Sequence, residues 1–77
     1  MFANVYETSD LNEAVILKYF AYKLESVDRT SKRAIFSFRK DDGFEDVLRG
    51  YRERKLQVEP YFYSQCIKDV KDRLYNG

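Results

Sequence analysis

Between Arg33 and Arg39 the chain alternates with a period of two: Ala34, Phe36 and Phe38 fall on one face, Ile35 and Ser37 on the other. This is the strongest strand signature in the sequence, and it is flanked on both sides by helical patterns. Leu11, Ala14, Val15, Leu17 and Ala21 make a broad apolar stripe, widened by Ile16 and Phe20, which predicts a helix over residues 10–22. A helix apolar over so much of its circumference is either sandwiched between other elements or part of a subunit interface. Asp10 and Glu13 have the spacing of a capping box at its start. Leu24 and Val27 carry a second, weaker strand, and the polar turn Arg29-Thr30-Ser31-Lys32 joins it to the first, so residues 23–39 read as an antiparallel hairpin.

Beyond the hairpin, Phe44, Val47, Leu48 and Tyr51 recur at i, i+3, i+4 and i+7, which predicts a helix over 42–54 with Asp42 and Glu45 repeating the capping-box spacing. Pro60 suits the first turn of a third helix over 60–75, after an extended Leu56-Gln57-Val58 and a Glu59 kept from helical dihedrals by the proline. Phe62, Tyr63, Cys66, Ile67, Val70 and Leu74 line one face of that helix, and Asn76-Gly77 closes it. Residues 1–8 read as an extended lead-in, in which Phe2, Val5 and Tyr6 either pair with a sheet edge as a short third strand or pack on the first helix. The expected fold is therefore a single α+β domain in the order α-β-β-α-α, an antiparallel hairpin packed against three helices. A two-stranded hairpin is marginal alone and needs that cover.

Composition narrows the function classes. A chain of 77 residues makes one domain and buries roughly 60% of its unfolded surface. Fourteen Lys/Arg against thirteen Asp/Glu give a net charge of +1, so no global field favours nucleic acid or an anionic membrane. The apolar runs are far shorter than a membrane span, and no basic-then-apolar leader opens the chain, so a cytoplasmic location is expected. Cys66 is the single cysteine and histidine is absent, which removes a disulfide framework, Cys/His metal sites and the commonest general base.

Candidate chemistry weighs little against structural readings. Asp41, Asp42, Glu45 and Asp46 lack the ligand spacing of a calcium loop, and helix capping accounts for Asp42 and Glu45. Cys66 sits on the apolar stripe of its helix with no base, as a buried small hydrophobe would. The three glycines are isolated, so no phosphate cradle is present. Tyr6-x-Thr8-x-Asp10 has the spacing of a helix entrance.

The Tyr6-x-Thr8-x-Asp10-Leu11 segment before a helix carrying Ala14 and Leu17, the hairpin ending Phe36-x-Phe38, the Val58-Glu59-Pro60 entry and the closing Lys71-Asp72-Arg73-Leu74-Tyr75 together resemble the uncharacterised family numbered 5659 among the domains of unknown function. The resemblance spans residues 6–75 and implies a phage or prokaryotic accessory protein, with no activity, cofactor or functional residue attached. The chain departs from it at Ala21, where a glycine is expected at the hand-over from helix to strand.

Two surfaces remain as functional candidates. Ile16, Tyr19, Phe20, Tyr22, Ile35, Tyr61, Tyr63 and Tyr75 are apolar residues in excess of an obvious core need. They suggest a protein interface with a partner or a second copy, built first on Ile16, Tyr19, Tyr22, Ile35 and Tyr61, the alternative being a wholly internal core. Arg29, Lys32 and Arg33 at the hairpin turn, with Arg49, Arg52, Arg54 and Lys55 on the second helix, would form one basic nucleic-acid face if the hairpin packed on that helix; otherwise they are a solvated charged surface. The expectation is a non-enzymatic interaction module without metal, cofactor or membrane span, and a nucleic-acid-binding accessory is the alternative.

Overall fold

A computed structural model describes residues 4–30 and 32–76, so Phe2 of the lead-in, Ser31 of the turn and the closing Gly77 lie outside the described residues. Three strands and three helices follow in the order β1 (Val5–Thr8), α1 (Leu11–Tyr19), β2 (Leu24–Asp28), β3 (Ile35–Arg39), α2 (Phe44–Arg52) and α3 (Pro60–Asn76). This is the expected α+β domain with a strand added in front. The sheet is antiparallel in the order β1-β3-β2, so the strand with the strongest sequence pattern is the central one.

Cross-strand partners share a face of a sheet. Tyr6 stands opposite Phe38 and Thr8 opposite Phe36, while on the other side Leu24 pairs with Phe38 and Val27 with Phe36. Leu24 and Val27 are three residues apart and would point to opposite faces of a regular strand. A bulge between Leu24 and Ser26 accommodates the extra Glu25 and turns both apolar residues inward. The opposite face carries Val5, Glu7, Ser26 and Arg39, all exposed, with an Arg39–Glu25 ion pair of 3.4 Å across it.

Helices cover the inner face. Ala14, Val15, Ile16 and Leu17, four consecutive residues of α1, are all buried, because α1 packs against α3 on one side, α2 on the other and the sheet beneath. That resolves the breadth of its apolar stripe in favour of a sandwiched helix. α2 lies over β1: the Tyr6 ring is 5.3 Å from that of Phe44, and the Arg52 guanidinium donates to the Tyr6 hydroxyl at 3.1 Å. Two layers of this kind give a slab of 33 × 33 × 18 Å.

The helix ends show where local signals held and where they did not. Asp10 caps α1, its Oδ1 accepting from the Asn12 and Glu13 amides at 2.9 and 3.4 Å. The reciprocal half of the capping box is absent, for the Asp10 amide donates to Thr8 Oγ1 and the Glu13 carboxylate accepts from the Tyr6 hydroxyl at 2.8 Å. α1 ends at Tyr19, short of the expected residue 22: the Ala21 amide donates to the Lys18 carbonyl and the Tyr22 amide to that of Leu17, the two bonds of a Schellman motif. Ala21 takes the left-handed conformation this motif needs, at φ 70°.

The second capping box is corrected. Gly43 occupies the N-cap of α2 at φ 79° with no side-chain cap bond, and Asp42 contributes only its main-chain carbonyl, which accepts from the buried Tyr22 hydroxyl at 2.8 Å. A glycine able to enter the left-handed region shifted the start of α2 past the acidic residue. Glu45 pairs with Lys40 instead.

Candidate interaction surface

α3 enters through Glu59. Its carboxylate accepts from the amides of Tyr61 at 3.0 Å and Phe62 at 2.7 Å, which fills the cap position before Pro60. Those two amide bonds, Phe62's first, hold the Glu59 carboxyl below its usual pKa. The Glu59 amide donates to the Tyr19 hydroxyl at 2.9 Å, tying this turn to the end of α1.

The fixed turn displays aromatic rings. Tyr61 is 71% exposed and Phe62 50% exposed, and the Phe62 ring lies 5.0 Å from that of Tyr19, which in turn meets Phe20 at 5.1 Å and Tyr63 at 6.3 Å. Five aromatic side chains from the end of α1 and the start of α3 thus share one end of the slab. A third large exposed aromatic, Tyr75, lies near the far end of α3.

The sequence-derived interface residues separate on this structure. Tyr61 and the half-buried Tyr19 belong to the aromatic end, and the half-buried Ile35 lies on the open sheet face. Ile16 and Tyr22 are corrected to core positions, taken up by the sandwiched helix and by the Phe44 ring 5.1 Å from Tyr22. Sequence reasoning missed Phe62, which it placed on the apolar stripe of α3, whereas Phe20, counted among the surplus apolar residues, does join this end. The stripe is buried or half-buried from Tyr63 onward; Phe62 shares the face of Cys66 and Val70 but sits in the first turn, where its ring leans on Tyr19 and stays half exposed.

The basic residues also divide. The Arg29 guanidinium donates to the Leu74 carbonyl at 2.6 Å, so the hairpin turn lies against the C-terminal end of α3 and not on α2. Arg54 and Lys55 sit in the connection leading to the other end of that 17-residue helix, about 25 Å long. Arg49 pairs with Asp46, Lys55 with Glu53, and Arg52 with the Glu13–Tyr6 pair, while Lys32 and Arg33 stay with the turn. The geometry does not bring the two basic sets together.

One polar cluster escaped sequence reasoning. Glu13 is 6% exposed, accepts from the Tyr6 hydroxyl and faces the Arg52 guanidinium at 3.9 Å, while the Tyr51 hydroxyl donates to Asp10 at 3.4 Å. Burial, reinforced by the bond to Glu13, raises the Tyr6 phenol, and burial raises those of Tyr51 and Tyr22. Cys66 is buried, which pushes its thiol up and away from nucleophilic use. Among the described residues no group of His, Cys, Asp or Glu is disposed to hold a metal, and no helix is long and apolar enough to cross a membrane.

The sequence model of a family described as a domain of unknown function (DUF5659) matches residues 3–76. No curated protein and no solved structure matches the chain significantly.

Proposed function

The chain belongs to the family of domains of unknown function numbered 5659, and from that premise we propose that it is a non-enzymatic interaction module, an accessory protein of a phage or prokaryotic cytoplasm that binds a partner protein through the aromatic end of α1 and α3. The observation that carries this reading is the exposure of Tyr61 and Phe62 on a turn locked by Glu59 and backed by Tyr19 and Phe20. Rigid aromatic side chains deliver large contact area at low entropic cost, and interface hot spots concentrate in them. The absence of histidine and the burial of the lone thiol support a binding role over catalysis.

A photo-crosslinking amino acid in place of Tyr61, compared with the same group in place of the exposed Lys71, tests the reading in extracts of the source cells. A discrete protein adduct formed from position 61 and not from position 71, and lost with Phe62→Ser, is the expected result. Equal labelling from both positions, or none from either, rejects it. A nucleic-acid adduct that disappears as salt rises would instead favour the charged surfaces.

A further inference from the structure

β1 is an edge strand, and the phase of its ladder decides what that edge offers. The Lys40 amide donates to the Asn4 carbonyl at 2.7 Å, so Asn4, Tyr6 and Thr8 turn their main-chain groups toward β3. Val5 and Glu7 therefore turn theirs away, and among the described residues nothing bonds to them. Val5 is also 49% exposed, an apolar side chain on an open edge. The other edge, β2, is protected by its bulge.

We propose that two copies of this chain pair antiparallel through β1, about a two-fold axis at Tyr6, into one continuous six-stranded sheet. In that register Val5 stands opposite the second copy's Glu7 and Glu7 opposite its Val5, so the four outward amides and four outward carbonyls of the two strands meet as hydrogen-bonded pairs. Sliding the strands toward Thr8 would set Glu7 against Glu7, a like-charge pair that disfavours this neighbouring register.

A second observation points to the same axis. α2 lies over β1, with Glu45 and Asp46 in its first turn and Arg49 and Arg52 in its last. With α2 lying along the layer above the sheet, a two-fold at Tyr6 normal to that sheet would set the two α2 helices antiparallel. Surface charges now paired within one copy, Asp46 with Arg49 and Glu45 with Lys40, would then also face opposite charges of the other. The flank they would present is recessed, a hollow of about 320 Å³ lined by Glu45, Leu48, Arg49, Arg52 and Glu53. Charge complementarity and the free edge thus select the same occupant, a second copy. This surface is separate from the aromatic end.

Light scattering over a concentration series tests the proposal on the whole chain, where a dimer mass is expected to appear as concentration rises. Val5→Pro removes an outward amide that β3 does not use, so this variant should keep the wild-type circular dichroism and remain monomeric. Val5→Cys/Glu7→Cys provides a check independent of that variant's folding. The paired cysteines would stand about 5.5 Å apart between Cα atoms, within disulfide reach, whereas either cysteine alone meets its own copy only on a diagonal. Mild oxidation should therefore cross-link the double variant rapidly and each single variant slowly. A wild-type chain that stays monomeric throughout, a Val5→Pro chain that still dimerises, or equal cross-linking of single and double variants overturns the proposal.

Discussion

At the scale of single residues, three backbone positions carry strain or freedom that the hydrophobic pattern could not reveal. Ala21 and Arg54 both occupy the left-handed region, at φ 70° and 60°. Each closes a helix by a Schellman motif; the second is made by the Arg54 amide to the Tyr51 carbonyl and the Lys55 amide to that of Gly50. The alanine at the position where glycine is expected therefore leaves the helix end sharp and puts the cost into its own Cβ. Ala21→Gly and Arg54→Gly should each stabilise the chain by about 0.5–1 kcal/mol, the relief of the left-handed penalty less the added freedom of the unfolded glycine. Urea midpoints that do not rise would refute this. Gly43 is the converse: it holds φ 79°, and an added Cβ would stand 3.2 Å from the Tyr22 hydroxyl. Gly43→Ala should cost about 1–2 kcal/mol, whereas Asp42→Ala, which leaves the carbonyl bonded to Tyr22 in place, should stay within about 0.5 kcal/mol. The two capping-box spacings looked alike in the sequence. What separated them was a glycine free to take the N-cap itself and, at Glu13, a tyrosine hydroxyl brought in from β1.

At the scale of elements, what could be read depended on whether a pattern had to be completed by a distant partner. α2 needed none: Phe44 and Leu48 are buried and Val47 and Tyr51 half-buried, as the i, i+3, i+4, i+7 spacing requires. β1 is four residues long and becomes a strand because β3 has a free side for Tyr6 and Thr8 to join, a fact that lives in the hairpin and not in the lead-in. The start of α3 was half legible. Pro60 marked it, but the carboxylate that secures it belongs to Glu59, and the helix begins early enough to leave Tyr61 and Phe62 outside the core. That cap gives a pH dependence with a definite sign. The folded pKa of Glu59 lies below its ordinary 4.5, so the cap stabilises the folded chain above that value and the contribution fades as the pH falls through the folded value. Stability should therefore drop less on acidification in Glu59→Gln than in the wild type, and amide exchange at Tyr61 and Phe62 should quicken in acid in the wild type. Parallel stability–pH curves for the two chains would show that the carboxylate contributes nothing through ionisation.

At the scale of the molecule, the arrangement of helices over the sheet decides which residues meet, and no local pattern encoded it. α1 lies between α2 and α3, which leaves Arg29 at one end of α3 and the basic residues after α2 in the connection to the other. The same arrangement assembles a clasp from three elements: Tyr6 of β1, Glu13 of α1 and Arg52 of α2. Glu13 is a carboxylate kept almost wholly from water, and its short partner is the Tyr6 hydroxyl; Arg52 is itself largely exposed and farther off. A buried acceptor deprived of its donor bears its own desolvation cost, whereas removal of both partners together does not leave that debt. Tyr6→Phe should accordingly cost about 1–3 kcal/mol although it removes only one oxygen atom. Glu13→Leu should be destabilising in its own right, because the phenol then loses its acceptor and Arg52 its counter-charge. In the double variant the two losses should fall well short of adding, with an interaction energy of about 0.5–3 kcal/mol from denaturant unfolding of all four chains. Additive losses would mean that the hydroxyl and the carboxylate act independently, and that α2 is held over β1 by the packing of Phe44 and Leu48 alone.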